Sequence, residues 1–202
     1  MSIVDKALGA ITPPESDEAR AEATEKARMA ASPGDWLSMA LDHHQQIRVA
    51  FTECRNAVDA AARLAGMKRL ALVLNGHSLA EEVVLYPALA KAGEKGHAGM
   101  AYTEQTTAKM QMAELERIDP STDEWKDKLE HIRGAVLHHM FEEEGSWFLK
   151  LKEDYDDQGF LTARFREEYE RYVGGEISGA TAGMGETRSF DGRDGASPLG
   201  LQ

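Results

Sequence analysis

Four stretches of this chain repeat apolar residues at alternating steps of four and three, and each carries polar side chains on its apolar stripe. The first stripe is Leu37, Leu41, His44, Ile47, Phe51, Cys54, Val58 and Ala61, and the second is Leu70, Val73, His77, Glu81, Val84 (or Leu85) and Ala88. The third is Ala101, Gln105, Ala108, Met112 and Leu115, and the fourth is Leu129, Ile132, Val136, His139, Glu143, Trp147 and Leu151. An α-helix returns to the same face every three to four residues, so each stripe predicts one helix that must bury that side. No alternation of the β type, bounded by turns, accompanies them. Four such helices joined by short connections pack as an antiparallel four-helix bundle, and the expected fold class is all-α.

Local signals set the expected limits. Ser32-Pro33-Gly34-Asp35 breaks the chain, Asp35 caps the first bundle helix, and Gly66 marks its expected end. The third helix is expected from about Met100 to Ile118, before Asp119-Pro120, and the fourth opens with a capping box from Ser121 to Glu124. The domain reading is therefore a partly helical N-terminal extension over 1–34, a bundle over 35–152, a C-terminal helix over 153–173 and a disordered tail over 174–202. In the extension, residues 16–31 offer only alanines and Met29 as apolar surface, which predicts weak packing or fraying. The C-terminal helix carries Leu161, Phe165, Tyr169 and Tyr172 on one side and is expected to dock on the outside of the bundle. Beyond it, glycine, serine and scattered charges offer too little apolar surface to offset the entropy of ordering.

Composition narrows the function classes. A net charge of −12 with no Lys/Arg block argues against a nucleic-acid partner or an anionic membrane surface. Cys54 is the only cysteine, which removes disulfide frameworks and thiolate zinc sites and fits a reducing compartment. No signal-peptide pattern and no span of transmembrane length is visible, so a cytoplasmic protein is expected. The sequence specifies no oligomeric state.

The polar residues on the stripes carry the chemistry. Residues 77–89, HSLAEEVVLYPAL, and 139–151, HMFEEEGSWFLKL, align without gaps: a histidine, two glutamates starting four residues later, a bulky pair and a closing leucine. The alignment selects His139 and Glu143 over the adjacent His138 and Glu142. One His–Glu pair at this spacing is an ordinary helix-surface interaction. Two inward pairs with a third histidine, His44, would repel and desolvate one another in a core, and a divalent cation removes that problem. Imidazole and carboxylate suit iron, manganese or zinc. His43 falls about 100° from the stripe and is expected at the surface or boundary. His131 is expected to be solvated. A ferritin-like centre would need ExxH on two helices, but the only ExxH is Glu94 to His97 in a glycine-rich loop. HExxH is absent.

HxxxEExxLYP on the second helix, HxxxEExxWF on the fourth and LDHHQQIRVAF on the first together resemble the hemerythrin-type HHE domain over about residues 35–152. The resemblance implies a four-helix bundle with a non-haem di-iron centre, in which Glu81 and Glu143 bridge two ions, His44 and His77 bind one and His139 the other. On the third helix the family's EHxxxK-like pattern is replaced by EQTTAK, which places Gln105 where an imidazole is expected. Other donors for that position are His97, Tyr102 and Glu104. The expected function is binding of two iron ions, with manganese or zinc as other candidates and the second site weak. Through the metal, the chain would bind a small ligand such as dioxygen, nitric oxide or peroxide, or handle iron. The alternatives are a di-iron oxidoreductase such as a peroxidase and a structural bundle without metal.

Overall fold

The computed structural model describes residues 15–182, which are helical apart from short connections; no strand occurs among them. The expected all-α bundle is what forms. Helix α1 spans Asp17–Ala30, α2 Trp36–Asn56 and α3 Ala60–Ala80, and α3 continues through a widened turn, Glu81–Leu85, into α4, Tyr86–Lys91. Helix α5 is Lys95–Leu115, and α6 is Asp123–Glu142. A second widened turn, Glu143–Trp147, leads from α6 into α7, Phe148–Asp154, and α8 is Gln158–Ala182. The bundle consists of α2, α3 with α4, α5, and α6 with α7. Helices α1 and α8 lie against it.

Caps explain most boundaries. The carboxylate of Asp35 accepts from Ser38 N at 2.7 Å to start α2, as expected. The first bundle helix stops at Asn56, well before Gly66, because Asp59 accepts from Ala62 N at 2.8 Å and starts α3 there. Val58 is consequently exposed rather than inward. Gly66 instead lets α2 and α3 approach, since a Cβ there would stand 3.2 Å from Cys54 Cα. Helix α5 begins five residues earlier than expected. Thr122, not Ser121, caps α6, accepting from Trp125 N at 3.3 Å.

The core divides into two apolar clusters. One holds Trp36, Leu41, Leu85, Trp147, Phe148 and Phe165, and the other Ile47, Phe51, Leu70, Leu115, Trp125 and Ile132. A layer of inward polar side chains separates them.

Both appended helices pack more closely than their sequences indicate. Helix α1 turns Ala23 and Ala27 to the bundle and leaves Met29 exposed. Ser16 caps it, and Thr24 reaches Glu144 of the bundle. Helix α8 lies along α2 and α3, where Phe165 is fully buried and Tyr169 stacks on His43 with ring centroids 3.8 Å apart. That contact buries His43, so its expected surface position is corrected. Gly76 makes room for the same helix, since a Cβ there would lie 3.1 Å from the Tyr172 ring. The Trp36 indole N–H also donates to Gln158 at 2.6 Å. Helix α8 extends past residue 173 to Ala182, so the tail expected from 174 does not begin there; its remainder lies outside the described residues. Among the described residues no helix is long and apolar enough to cross a membrane.

Replacing a fully buried Phe with Ala costs about 3–5 kcal/mol. Phe165→Ala is expected to lower unfolding stability by that order in urea denaturation. A loss below about 1 kcal/mol would mean that α8 is only apposed to the bundle.

Candidate metal centre

The polar layer sits where the two widened turns begin. In each, the backbone closes a ring one residue larger than the α-helical one: Tyr86 N–H donates to Glu81 O, and Phe148 N–H to Glu143 O. Such turns occur mostly as single insertions within α-helices and often at functional sites. Here they start at the two inward glutamates of the repeated motif. Both Val84 and Leu85 are buried as a result. Pro87 has no N–H to give to Glu82 O, and the Tyr102 hydroxyl donates to that carbonyl at 2.6 Å. Tyr102 is thereby turned away from the centre.

Four of the expected residues, His44, His77, Glu81 and Glu143, bring one ligand atom each to within 4.8 Å of one another, and all four are buried. His77 Nε2 lies 3.1 Å from Glu81 Oε1, and His44 Nε2 lies 3.3 Å from Glu143 Oε2 and 4.0 Å from Glu81 Oε1. None of these four atoms makes a hydrogen bond. Buried polar atoms are otherwise almost always paired, so four orphans pointing at one place are what a cation-binding pocket requires. The residues present fit a metal ion.

The other two expected residues, His139 and Gln105, lie on the far side of the same carboxylates. His139 Nε2 is 3.3 Å from Glu143 Oε1, and Gln105 Nε2 donates to Glu81 Oε2 at 2.5 Å. Tyr86, part of the motif but off the inward stripe, joins them. Its hydroxyl stands among them, 2.8 Å from Glu143 Oε1, 3.0 Å from His139 Nε2 and 3.2 Å from Glu81 Oε2. Of the other donors considered, Glu104 holds the outer nitrogen of His139 at 2.8 Å. His97 lies on α5, stacked on Trp147, with Nδ1 2.8 Å from Glu94 and no contact with the cluster.

A second layer fixes the first. His44 Nδ1 is 2.7 Å from Glu144 Oε1, and Arg48 donates to the same oxygen at 2.7 Å while Thr24 donates to Oε2. A carboxylate on the outer nitrogen sets the tautomer and ring orientation of a ligating histidine.

The charges are mutually dependent. Burial disfavours the imidazolium of His44, but Glu143 and Glu144 outweigh it and raise the pKa to about 9. His139 is likewise raised, against its burial, by Glu143 and Glu104. Burial would raise Glu143, yet His139 and His44 hold it below the usual carboxylate range. Glu81 is raised by burial and by Glu143, and His77 is held neutral by burial and by His44. Burial pushes the Cys54 thiol up to about 11, as suits an inert core cysteine.

An all-α bundle with a buried cluster of histidine and glutamate donors is a cation-binding architecture. The family model for the hemerythrin HHE cation-binding domain matches residues 37–151, and the chain belongs to that family. A DNA nickase of Nostoc sp. (strain PCC 7120 / SAG 25.82 / UTEX 2576) is 25% identical over 144 residues, covering 68% of this chain and 40% of that protein. The chain thus spans well under half the length of this relative. No solved structure matches it.

Two predictions follow from this geometry. His139→Ala and His44→Ala should each cut bound metal sharply, whereas His138→Ala should keep it, because His138 faces Glu15 at 2.5 Å instead. His43→Ala should keep the metal but lose stability with its stacking partner. Equal metal loss within either doublet, by elemental analysis, would contradict the assignment. The second concerns pH. A cation takes up the lone pair that the His44 proton occupies, so its apparent affinity should rise with pH between about 6.5 and 9. Competitive zinc titrations across that range would show it, and a pH-independent Kd would count against this charge arrangement.

Proposed function

We propose that the chain holds two non-haem iron ions in the polar layer, one against His44 and His77 and one against His139, with Glu81 and Glu143 spanning both. The reading rests on the convergence of four buried, unpartnered donor atoms. Imidazole with carboxylate is a donor set that iron, manganese and zinc all accept. Bound iron would supply open coordination positions and one-electron chemistry. The chain supplies a fixed donor geometry and exclusion of bulk water, with His44, His77, Glu81 and Glu143 at most 2% exposed and His139 8%. That burial favours a ligand no larger than dioxygen, nitric oxide or peroxide. Gln105, where the family pattern has an imidazole, favours sensing, scavenging or iron handling over reversible oxygen carriage.

An oxidoreductase such as a peroxidase is the alternative for the same centre, and Tyr86, an oxidisable phenol among the donors, is the observation in its favour. Steady-state peroxide turnover against metal-free protein separates the two. The description of the Nostoc relative suggests DNA as a substrate, but a net charge of −12 opposes contact with a phosphate backbone. Relaxation of supercoiled plasmid by the iron-loaded chain would overturn that judgement.

Protein purified without chelator is expected to contain iron by elemental analysis. Removing it should lower the melting temperature, since a site occupied at a hundredfold above its Kd contributes ~2.7 kcal/mol. An unchanged melting curve after verified removal would contradict a buried site.

A further inference from the structure

The half of the layer around His139 holds a hydroxyl that the half around His44 lacks. In the repeated motif, the residue five positions after the inward glutamate is Tyr86 in one copy and Phe148 in the other. Phe148 stacks on His44 with ring centroids 5.8 Å apart and leaves its half with unpartnered donors. Tyr86 puts an oxygen into the equivalent place in the other half.

We propose that Tyr86 is a ligand of the second ion, and that with Gln105 it completes the position formed by His139, Glu143 Oε1 and Glu81 Oε2. The proposal rests on the metal-binding reading above and names the donor that EQTTAK lacks.

Distances carry it first. Metal–ligand bonds of about 2.1 Å imply separations between neighbouring ligand atoms of about 3.0 Å in an octahedron and about 3.4 Å in a tetrahedron. The Tyr86 hydroxyl is 2.8, 3.0 and 3.2 Å from Glu143 Oε1, His139 Nε2 and Glu81 Oε2. His139 Nε2 is 3.3 Å from Glu143 Oε1 and 3.5 Å from Gln105 Nε2. These hydrogen-bonded separations are ones that ligands of a single ion can keep with little movement.

Hydrogen-bond accounting comes second. One phenolic proton faces two carboxylate oxygens and an imidazole nitrogen, so it satisfies only one of them. Gln105 is 3% exposed, spends its amide nitrogen on Glu81 and Tyr86, and leaves its buried Oε1 without a partner. Half a turn of the amide brings that oxygen to face the ion. On coordination the metal–oxygen bond replaces the phenolic O–H bond and the proton is released to solvent, so the second ion is held by a phenolate, two carboxylates, an imidazole and an amide oxygen.

The test is ferrous iron titrated anaerobically into the full chain, followed by oxidation with dioxygen and an optical spectrum. Wild type should bind two ions and develop a visible phenolate-to-iron(III) charge-transfer band. Tyr86→Phe keeps the ring, should lose the band and should bind one ion. Tyr102→Phe should change neither. Two ions without the band, or a band that survives in Tyr86→Phe, would overturn the proposal while leaving the metal-binding reading standing, and a single ion with no band in wild type would overturn it together with the second ion of that reading while leaving the ion at His44 and His77. No iron in any of the three proteins would overturn both.

Discussion

Two carboxyl groups in the middle of a dry bundle govern the rest of this structure. An ionised carboxylate without partners in a low-dielectric interior is so costly that it either takes up a proton or acquires compensating charge. Glu81 and Glu143 face each other across the layer and adopt different answers. His139 and His44 hold Glu143 ionised, while burial and Glu143 drive Glu81 toward its neutral form. Raised affinities for protons at His44, His139 and Glu81 thus stand where a divalent cation would concentrate two charges on one particle. The same layer divides the core into two apolar clusters, so the bundle is closed from both ends by ordinary packing around a centre that packing alone does not satisfy.

The helices outside the family's four complete that centre. Thr24 of α1 and Arg48 of α2 hold Glu144, which in turn holds the outer nitrogen of His44. Glu104 does the same for His139. The remaining histidine, His77, has no partner on its outer nitrogen and is placed by shape, edge-on to His43, His44 and Phe165 at 5.6, 4.7 and 6.4 Å. Two of the histidines are thus oriented by hydrogen bonds and one by the aromatic face of α8. A chain truncated to the bundle would lose one support from each end.

Periodicity made the stripes legible, and with them the inward phase of His44, His77, Glu81, Gln105, His139 and Glu143. It missed Tyr86 for a geometric reason. At 3.6 residues per turn, a residue five positions on lies about 140° from its starting point, on a different face. The widened turn after Glu81 absorbs one residue and brings Tyr86 back to the face of Glu81. The ambiguity between Val84 and Leu85 on the second stripe was the trace of that extra residue. His43 was misplaced because a pattern for four helices leaves its face open, and only the packing of α8 covers it. Glu104 was named as a donor to the ion rather than as the partner of His139, and Glu144 escaped notice, because an outer hydrogen bond to a histidine has no fixed spacing along the chain. The cap at Asp59 was missed because the apolar rhythm runs across it.

The repeat also explains why the two halves of the layer are unequal. The motif places a histidine, a glutamate and a widened turn in each copy, and the next aromatic differs by a single hydroxyl. In the half with Phe148, the donor atoms that face the layer make no hydrogen bonds. In the half with Tyr86, the donors are tied to a phenol and an amide. A cation entering beside His44 and His77 displaces only protons, whereas one entering beside His139 must also break the contacts that Tyr86 and Gln105 make with each other and with Glu81. Occupation of the first half draws charge from both carboxylates and weakens the hydrogen bonds they accept on the other side. On the proposed two-ion reading, filling should therefore run in that order.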